Sequence, residues 1–343
     1  MKVSDNNIID FKVKNFKKFK HFEMDNLGQF NLIVGDNNVG KTSVLEALLV
    51  KTNSNLFIEG LLHSLEIGRN IDVESNQNII SKFYVNISDS DIINSEISFS
   101  FNTIEQFKEI KIICNQNANL SKFVISINHQ NPNIVESYVS KNNIGGNLMP
   151  NLIFSSNIYS SFSARTFSDK IYRYASKKDK LIKTLKILLP NITDLYPDKF
   201  ETSSQTIYAR QKDIDKAIPM QLIGEGSVKL LNYLIFMQFF SDQDRIMLDE
   251  VDNGIHYSKM KDFWKILLKS SVDNQIQLFM TTHSKECINY YKEALSELGE
   301  EFQNEARIIS LNELPDKSVK AFNYNYERFS NELELGNEIR GGY

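Results

Sequence analysis

The sequence predicts an α/β protein, and three observations support this prediction. An apolar run at residues 30–35 ends in glycine, and residues 41–50 follow with apolar side chains at helical spacing. Residues 80–140 contain short β-rich segments separated by Asn- and Ser-rich turns. From residue 222 onward, strand patterns alternate with helix patterns. We therefore expect an α/β C-terminal part and an antiparallel, β-rich N-terminal part.

The composition fits two domains or one large, elaborated domain. The chain has 343 residues, of which 41% are hydrophobic and 24% charged, and its formal net charge is −4. This charge gives no global attraction to nucleic acid or to an anionic membrane. The two cysteines, Cys114 and Cys287, form no CxxC pair, so we expect reduced thiols in a cytoplasmic protein. No apolar run approaches the length of a membrane span, so we expect no membrane segment.

Each further element follows from its hydrophobic pattern. Residues 10–19 alternate apolar and polar side chains, which predicts an edge strand. Residues 168–189 have helical spacing and a basic exposed face, which is more typical of a solvated surface than of a binding patch. The elements predicted after residue 222 are a helix at 226–241, a strand at 245–250, a helix at 257–270, a strand at 276–283, a helix at 284–297, a strand at 306–312 and a short final helix.

Residues 35–42, GDNNVGKT, match the phosphate-loop pattern GxxxxGK[ST] at every position. In such a loop, backbone N–H groups point at phosphate oxygens, and the N-terminal end of the following helix favours the same anion. Lys41 should reach the β- and γ-phosphates, and the Thr42 hydroxyl should bind Mg²⁺. The predicted nucleotide-binding residues are Gly35, Asp36, Asn37, Asn38, Val39, Gly40, Lys41, Thr42 and Ser43.

Two lysines upstream of this loop, Lys17 and Lys18, allow two interpretations. They could lie near the nucleotide. Their position in the predicted strand favours a solvated strand edge instead.

A second part of a nucleotide site is predicted at the acidic end of the strand at 245–250. Asp249 and Glu250 follow three buried apolar residues, and ligands gather at such strand ends in α/β sheets. Asp249 would hold Mg²⁺ through water, and Glu250 would polarise the attacking water as general base. Adjacent carboxylates repel each other unless a cation is near. A plain strand-to-loop boundary is the alternative, but the phosphate loop upstream favours the nucleotide site.

The next predicted strand ends in Thr281, Thr282 and His283. A polar cluster at this point could serve as a sensor of the γ-phosphate. His283 could donate a hydrogen bond to that phosphate and orient the attacking water.

A second glycine-led helix start lies at residues 224–227, just before the acidic strand. Gly224 and Gly226 allow close approach of the backbone, and Ser227 can donate a hydrogen bond and start a helix. The helix that follows has one apolar face formed by Leu230, Leu231, Leu234 and Met237.

The order of these motifs resembles that of ABC-type ATPase heads, a class of P-loop NTPases. The N-terminal IIDFKVKNFKKFKHFEMDNLGQFNLIVGDNNVGKTSVLEAL is similar to the start of SMC- and RecF-like heads. Four further segments resemble the AAA-type ATPases related to the OLD family: IPMQLIGEGSVKLLNYL, IMLDEVDNGIHYS, LFMTTHSKECI and YERFSNELELGNEIRGG. The resemblance covers most of the chain. It implies one head over residues 1–343, with an N-terminal β-rich lobe (1–150), a helical insertion (151–221) and a C-terminal α/β lobe (222–343).

The resemblance also assigns roles to residues. The second glycine turn becomes the signature motif, formed by Gly224, Glu225, Gly226 and Ser227, which caps the γ-phosphate held by a second subunit. Asp252 and Asn253 become the loop that communicates across this dimer. The sequence departs from the family pattern in two respects: its signature reads GEGS where many relatives have LSGGQ, and its Q-loop glutamine has no clear position. The candidates are Gln77, Gln106, Gln116 and Gln130.

For function, the resemblance implies a Mg²⁺-dependent ATPase that dimerises head to head around ATP. Such a head would act as sensor or scaffold for a separately encoded nuclease or toxin in anti-phage defence. The segment after His283 is short and contains no Glu…DxD constellation, so we expect no built-in Toprim nuclease. The alternative is a RecF- or SMC-like ATPase of DNA repair, whose basic helix at 171–184 would contact DNA. A transporter ATPase is a third possibility, which would need a membrane partner.

Overall fold

The computed structural model describes residues 4–50, 96–104, 106–117, 120–127, 133–136, 152–153, 160–199, 205–239 and 245–340. The strands in these ranges are β1 (Ile8–Phe16), β2 (Phe19–Met24), β3 (Phe30–Gly35), β4 (Glu96–Thr103), β5 (Phe107–Asn117), β6 (Leu120–Ile127), β7 (Asn133–Glu136), β8 (Leu152–Ile153), β9 (Ile192–Lys199), β10 (Gln205–Gln211), β11 (Ile214–Pro219), β12 (Arg245–Leu248), β13 (Gln277–Thr281), β14 (Ala306–Glu313) and β15 (Val319–Asn325). The α-helices are α1 (Lys41–Ala47), α2 (Ser160–Thr166), α3 (Ala175–Leu185), α4 (Glu225–Phe239), α5 (Tyr257–Asp273), α6 (Lys285–Leu298), α7 (Glu300–Asn304) and α8 (Tyr326–Glu334).

The central sheet joins strands from both ends of the chain. Its order is β15-β14-β3-β13-β12-β8. All neighbouring pairs are parallel except β14 and β15, which form an antiparallel hairpin. The strand before the phosphate loop, β3, lies between β13 and β14. The phosphate loop, the acidic end of β12 and the end of β13 therefore meet at the C-terminal end of these parallel strands.

This sheet separates two hydrophobic cores. Alternate residues of a strand point to opposite faces, so Leu32 and Val34 lie in one core while Ile33 lies in the other. Helices α4, α5 and α6 cover the first face, where Trp264 is completely buried. Helix α1 covers the second face. The expected α/β class is confirmed.

An antiparallel sheet with the order β2-β1-β4-β5-β6-β7 packs over α1. The prediction of an edge strand at residues 10–19 was wrong. Strand β1 is paired on both sides, with β2 and β4, and the edge is formed by β2. Alternating side chains reveal which face of a strand is buried, but they do not reveal how many neighbours it has.

The predicted helical insertion contains a sheet as well as helices. Helix α2 is followed by a π-helix (Phe167–Tyr172) and then by α3. The helix predicted at 168–189 is therefore divided near residue 173. Strands β9, β10 and β11 then form a separate three-stranded antiparallel sheet that the sequence analysis did not predict. The predicted sub-region boundaries stay a prediction.

The structure bears on two expectations from composition, which concern the state of the cysteines and membrane-spanning segments. Cys287 is a buried, free thiol. Among the described helices, none has the length and apolar character needed to cross a membrane.

Candidate nucleotide-binding site

The phosphate loop connects the C-terminal end of β3 to the first turn of α1. Its path requires left-handed backbone at Gly35 (φ 150°), Asn38 (φ 62°) and Gly40 (φ 113°). A Cβ atom on Gly40 would lie 2.9 Å from the ring of Phe19. Both the backbone angle and the contact with the β1–β2 turn thus require glycine at position 40.

Lys41 is buried within this loop. Its Nζ donates hydrogen bonds to the carbonyl oxygens of Gly35 and Asp36, each at 2.7 Å. Burial lowers the pKa of Lys41 to about 8, and the nearby carboxylate of Asp249 opposes this shift. A phosphate anion in the loop would stabilise the buried ammonium group by a charge-assisted hydrogen bond.

Thr42 and Asp249 connect the phosphate loop to the end of β12. The Thr42 hydroxyl donates to Asp249, with distances of 3.0 Å to Oδ2 and 3.3 Å to Oδ1. Thr281 of β13 also donates to Asp249 Oδ1, at 2.6 Å. Burial raises the pKa of Asp249, while these two hydroxyl donors lower it. The predicted metal ligands therefore lie within hydrogen-bond distance of each other.

Thr42 and Asp249 fit a magnesium ion. A hydroxyl and a carboxylate are hard oxygen ligands, and Mg²⁺ is usually held by one or two protein groups together with substrate phosphates. Within the described ranges, no group of three or more His, Cys, Asp or Glu side chains could hold a metal by itself. The donor set thus suits an ion that arrives with a nucleotide.

Glu250 lies directly after Asp249 and has an unusual backbone conformation. Its φ of 47° is left-handed, which is uncommon for a residue other than glycine. Its N–H donates to the Thr281 hydroxyl at 2.8 Å. Its carbonyl oxygen accepts a hydrogen bond from Lys229 at 2.7 Å. These contacts hold the half-buried Glu250 in a defined conformation.

The three residues of the predicted cluster, Thr281, Thr282 and His283, have different contacts in the structure. Thr281 binds Asp249, and Thr282 donates to Asp252 Oδ1 at 2.7 Å. Only His283 lines a cavity beside the phosphate loop. This cavity measures about 240 Å³, and its walls are formed by Gly35, Asp36, Asn37, His283 and Arg340.

His283 is suited to hydrogen bonding in its neutral form. Burial lowers its pKa, and the positive charge of Lys41 acts in the same direction. A neutral imidazole carries one N–H donor and one acceptor nitrogen. His283 can therefore donate to a phosphate oxygen or accept from water without a net charge.

The signature turn lies at the start of α4 and presents itself to solvent. Gly224 has a φ of 136°, and Gly224 and Glu225 are exposed, whereas Ser227 is half-buried. Gly226 packs tightly against the loop after β12, because a Cβ atom there would lie 2.6 Å from the carbonyl oxygen of Gly254. The signature turn and the Asp252–Asn253 loop therefore form one surface.

Lys229, two residues after the signature, was not predicted as a site residue. Its Nζ donates to the carbonyl oxygens of Glu250 (2.7 Å) and Asn253 (2.9 Å). Burial lowers its pKa to about 8, and the carboxylate of Asp252 opposes this shift most strongly. The only sequence signal was a lysine inside an otherwise apolar helical stretch.

The interpretation of Lys17 and Lys18 as a solvated strand edge was wrong. Lys17 is buried and forms an ion pair with Glu46 of α1. Lys18 donates to the carbonyl oxygen of Asn38 in the phosphate loop and to Glu313 Oε2, both at 2.8 Å. Both lysines therefore support the loop and its helix.

The Q-loop glutamine stays open. Gln106 lies exposed between β4 and β5, and its N–H donates to the Thr103 hydroxyl. Gln116 belongs to β5. Gln77 and Gln130 lie outside the described residues.

Residues 30–289 match the family described as "AAA domain, putative AbiEii toxin, Type IV TA system". This match spans more than half of the chain, from β3 into α6. The chain belongs to this family. A Helicobacter pylori protein named "ATP/GTP phosphatase" is 25% identical over an alignment 360 residues long. The alignment covers 88% of this chain and 91% of that relative.

Solved structures of SMC heads share the fold of this AAA-family protein. The SMC head domain from Thermotoga maritima has a TM-score of 0.52 and 12% identity, with coverage of 93% of this chain and 99% of that chain. The Smc head domain bound to the C-terminal domain of ScpA, from Pyrococcus furiosus, has a TM-score of 0.54 and 14% identity, with coverage of 96% and 98%. These similarities confirm the predicted head fold. The protein is an AAA-family ATPase domain of SMC head-like fold.

Proposed function

We propose that this protein is a Mg²⁺-dependent ATPase whose catalytic site is completed by a second copy of the chain. The observation that carries the proposed Mg²⁺-dependent ATPase activity is the contact between Thr42 and Asp249, which joins the phosphate loop to the acidic strand end. Lys41 and the loop N–H groups bind the phosphates. Thr42 and Asp249 hold Mg²⁺, which supplies neutralising charge at the phosphate oxygens.

Hydrolysis in this site uses Glu250 as general base. The oxygen of a water molecule bonds to the γ-phosphorus, the bond between that phosphorus and the bridging oxygen of ADP breaks, and Glu250 accepts the proton of the water. His283 orients the water or the γ-phosphate through its neutral imidazole. The Thr281 hydroxyl supports the carboxylate of Asp249 and the backbone of Glu250, because it donates to Asp249 and accepts from the Glu250 N–H.

Two features support dimerisation through the signature turn. The exposed end of α4 offers N–H groups and the Ser227 hydroxyl to an anion held by another subunit. Large apolar side chains flank this surface: Leu222 is 76% exposed and Tyr257 is 59% exposed. A head-to-head dimer with two-fold symmetry would cover both and would bring Asp252 and Asn253 to the interface.

The choice of nucleotide is part of the proposal. ATP is the substrate we favour, and the name of the Helicobacter pylori relative includes both ATP and GTP. Parallel measurements of hydrolysis with ATP and GTP would decide between them.

A partner protein is the second element of the proposed function. The family description refers to a toxin and a toxin–antitoxin system, and the Pyrococcus furiosus head is bound to ScpA. Both support a head that holds and releases a separately encoded effector, a nuclease or a toxin, in anti-phage defence.

DNA binding in repair is the alternative, and the SMC head-like fold favours it. The basic face of α3 offers it less support, since Lys178 forms an ion pair with Asp194 and Lys180 forms one with Asp273. Duplex binding that weakens steeply with salt would favour this alternative.

The test is the mass of the protein in solution with ATP and Mg²⁺. We expect Glu250→Gln to bind ATP without cleaving it and to form a stable dimer. Adding Ser227→Arg should return this variant to a monomer, because the larger cation fills the signature turn. Ser296→Arg, at an exposed position of α6, is the matched control and should leave the dimer intact. An unchanged mass in every variant would contradict completion of the site by a second copy.

A further inference from the structure

One wall of the cavity beside the phosphate loop is formed by a residue to which the sequence analysis assigned no role. Three of its residues belong to the loop and one is His283, whereas Arg340 comes from the far end of the chain. The negative charge of Asp36 acts on Arg340, which agrees with their positions around the same cavity.

The segment that carries Arg340 is fixed to the body of the protein. After α8, Gly336 turns the backbone with a φ of 77°, and the Asn337 side chain donates to Glu332 Oε2 at 2.6 Å. Ile339, directly before Arg340, is buried in the core that α4, α5 and α6 cover. The packing of Ile339 and the hydrogen bond of Asn337 therefore hold Arg340 beside the cavity.

The guanidinium group is oriented by three hydrogen bonds. Nε and Nη2 donate to the two carboxylate oxygens of Glu338, at 2.8 and 2.7 Å, and Nη1 donates to the carbonyl oxygen of His283 at 2.8 Å. A guanidinium has five N–H groups. Two of them have no acceptor within the part of the chain that the structure describes.

The charges around the cavity suit a phosphate. Arg340 adds a guanidinium, which stays charged, to the ammonium of Lys41, which donates to the carbonyl oxygen of Gly35 at the start of the loop. A planar guanidinium held by a carboxylate is well organised for binding phosphate oxygens. Its bond to the His283 carbonyl also ties Arg340 to the backbone of the residue that lines the same cavity.

We propose that Arg340 is a nucleotide-binding residue of the same chain, which donates to the terminal phosphate of a nucleoside triphosphate while Glu338 and the His283 backbone hold it in place. This inference rests on the proposed triphosphate binding. It adds a phosphate ligand from the C-terminal segment, distinct from the phosphate loop and from the signature of a second copy.

The test compares the dissociation constants of a non-hydrolysable ATP analogue and of ADP, measured by calorimetry with Mg²⁺. Arg340→Gln should weaken binding of the triphosphate roughly 10- to 100-fold, because it removes charge-assisted hydrogen bonds. Binding of ADP should change less than about threefold. Arg340→Lys keeps the charge and should recover part of the loss. Arg328→Gln, at an exposed position of α8, is the matched control and should bind like wild type.

Equal losses for both nucleotides, or no loss for either, would overturn the role of Arg340. An Arg340→Gln variant that fails to fold would leave Arg340→Lys to decide, since only a phosphate ligand predicts a change in the ratio of the two constants. Lys41→Ala separates this inference from the proposed function. A wild-type protein that binds no triphosphate, or a Lys41→Ala variant that binds normally, contradicts the proposed function itself.

Discussion

The ammonium group of Lys229 lies 2.7 Å from the carbonyl oxygen of Glu250. Lys229 belongs to the helix that begins with the signature turn, and Glu250 is the proposed general base. A second bond, of 2.9 Å, joins Lys229 to the carbonyl of Asn253 in the loop that follows. One buried cation therefore links the surface proposed to bind a second copy to the residue proposed to activate water.

Removing this link should slow hydrolysis more than it weakens binding. Lys229→Met leaves the carbonyls of Glu250 and Asn253 without their donor, so the left-handed backbone at Glu250 can relax. We expect the turnover rate to fall roughly 10- to 100-fold. The dissociation constant for ATP should change less than about threefold. Lys269→Met, at an exposed position of α5, is the control. Equal effects on binding and turnover would argue against a link to catalysis.

The same lysine should make stability depend on pH in an unusual window. Its pKa is lowered from 10.5 to about 8 by burial, so between these values the unfolded state binds more protons than the folded state. The free energy of unfolding should therefore rise from pH 8 toward pH 10.5, by up to about 1.4 kcal/mol per pH unit from this group. The contribution is lost as the pH falls through 8.

Urea unfolding of wild type and Lys229→Met at pH 7.5, 8.5 and 9.5 measures this effect. The stability of wild type relative to the variant should increase across the series. Parallel curves would mean that Lys229 keeps an ordinary pKa in the folded protein.

The residues proposed to bind nucleotide and Mg²⁺ could be predicted from the sequence because they lie in short motifs. The phosphate loop at 35–42 and the pair Asp249–Glu250 each combine a strand end with residue types that have specific chemistry. The contact between Thr42 and Asp249 follows once β3 and β12 belong to one parallel sheet. The position of His283 beside the loop follows in the same way, since β13 lies next to β3.

Residues that support the site from elsewhere were beyond this reasoning. Lys229 occurs in an apolar helix and Arg340 in a polar terminal segment, and each donates to a backbone carbonyl that only the fold brings near. Backbone carbonyls have no sequence signature. Lys17 was misjudged for a related reason: its partner, Glu46, is 29 residues away in sequence and is brought near by the fold.

The hydroxyl of Thr281 should affect both the free energy of unfolding and the Mg²⁺ concentration that hydrolysis needs. Thr281→Val removes a donor to Asp249 and the acceptor of the Glu250 N–H, with little change in shape. We expect a loss of about 1–3 kcal/mol in the free energy of unfolding. Because a hydroxyl that lowers the pKa of Asp249 is lost, hydrolysis should also need more Mg²⁺. Urea unfolding and a Mg²⁺ titration of hydrolysis measure these effects. Thr184→Val on α3 is the control, and wild-type behaviour of Thr281→Val would disprove this support.

Gly226→Ala tests the close packing of the signature turn, because helix propensity and overpacking predict changes in stability of opposite sign. Alanine in a helix is normally more favourable than glycine by up to about 1 kcal/mol, so Gly226→Ala would stabilise the protein if only helix propensity mattered. Here a Cβ atom would lie 2.6 Å from the carbonyl oxygen of Gly254 and 3.0 Å from Ile255 Cδ1. Overpacking of this kind costs about 1–3 kcal/mol. We therefore expect lower stability in urea and displacement of the signature turn from the Asp252–Asn253 loop.

The displacement should also weaken the ATP-dependent dimer of Glu250→Gln, measured as its dissociation constant in solution. Gly336→Ala serves as a control for backbone strain, because Gly336 has a positive φ of 77° but no atom within 4 Å of an added Cβ. It should lower stability without affecting the dimer. If Gly226→Ala instead stabilised the chain and kept the dimer, the close packing of the signature turn on Gly254 would have no role in assembly, and the signature would be only the start of a helix.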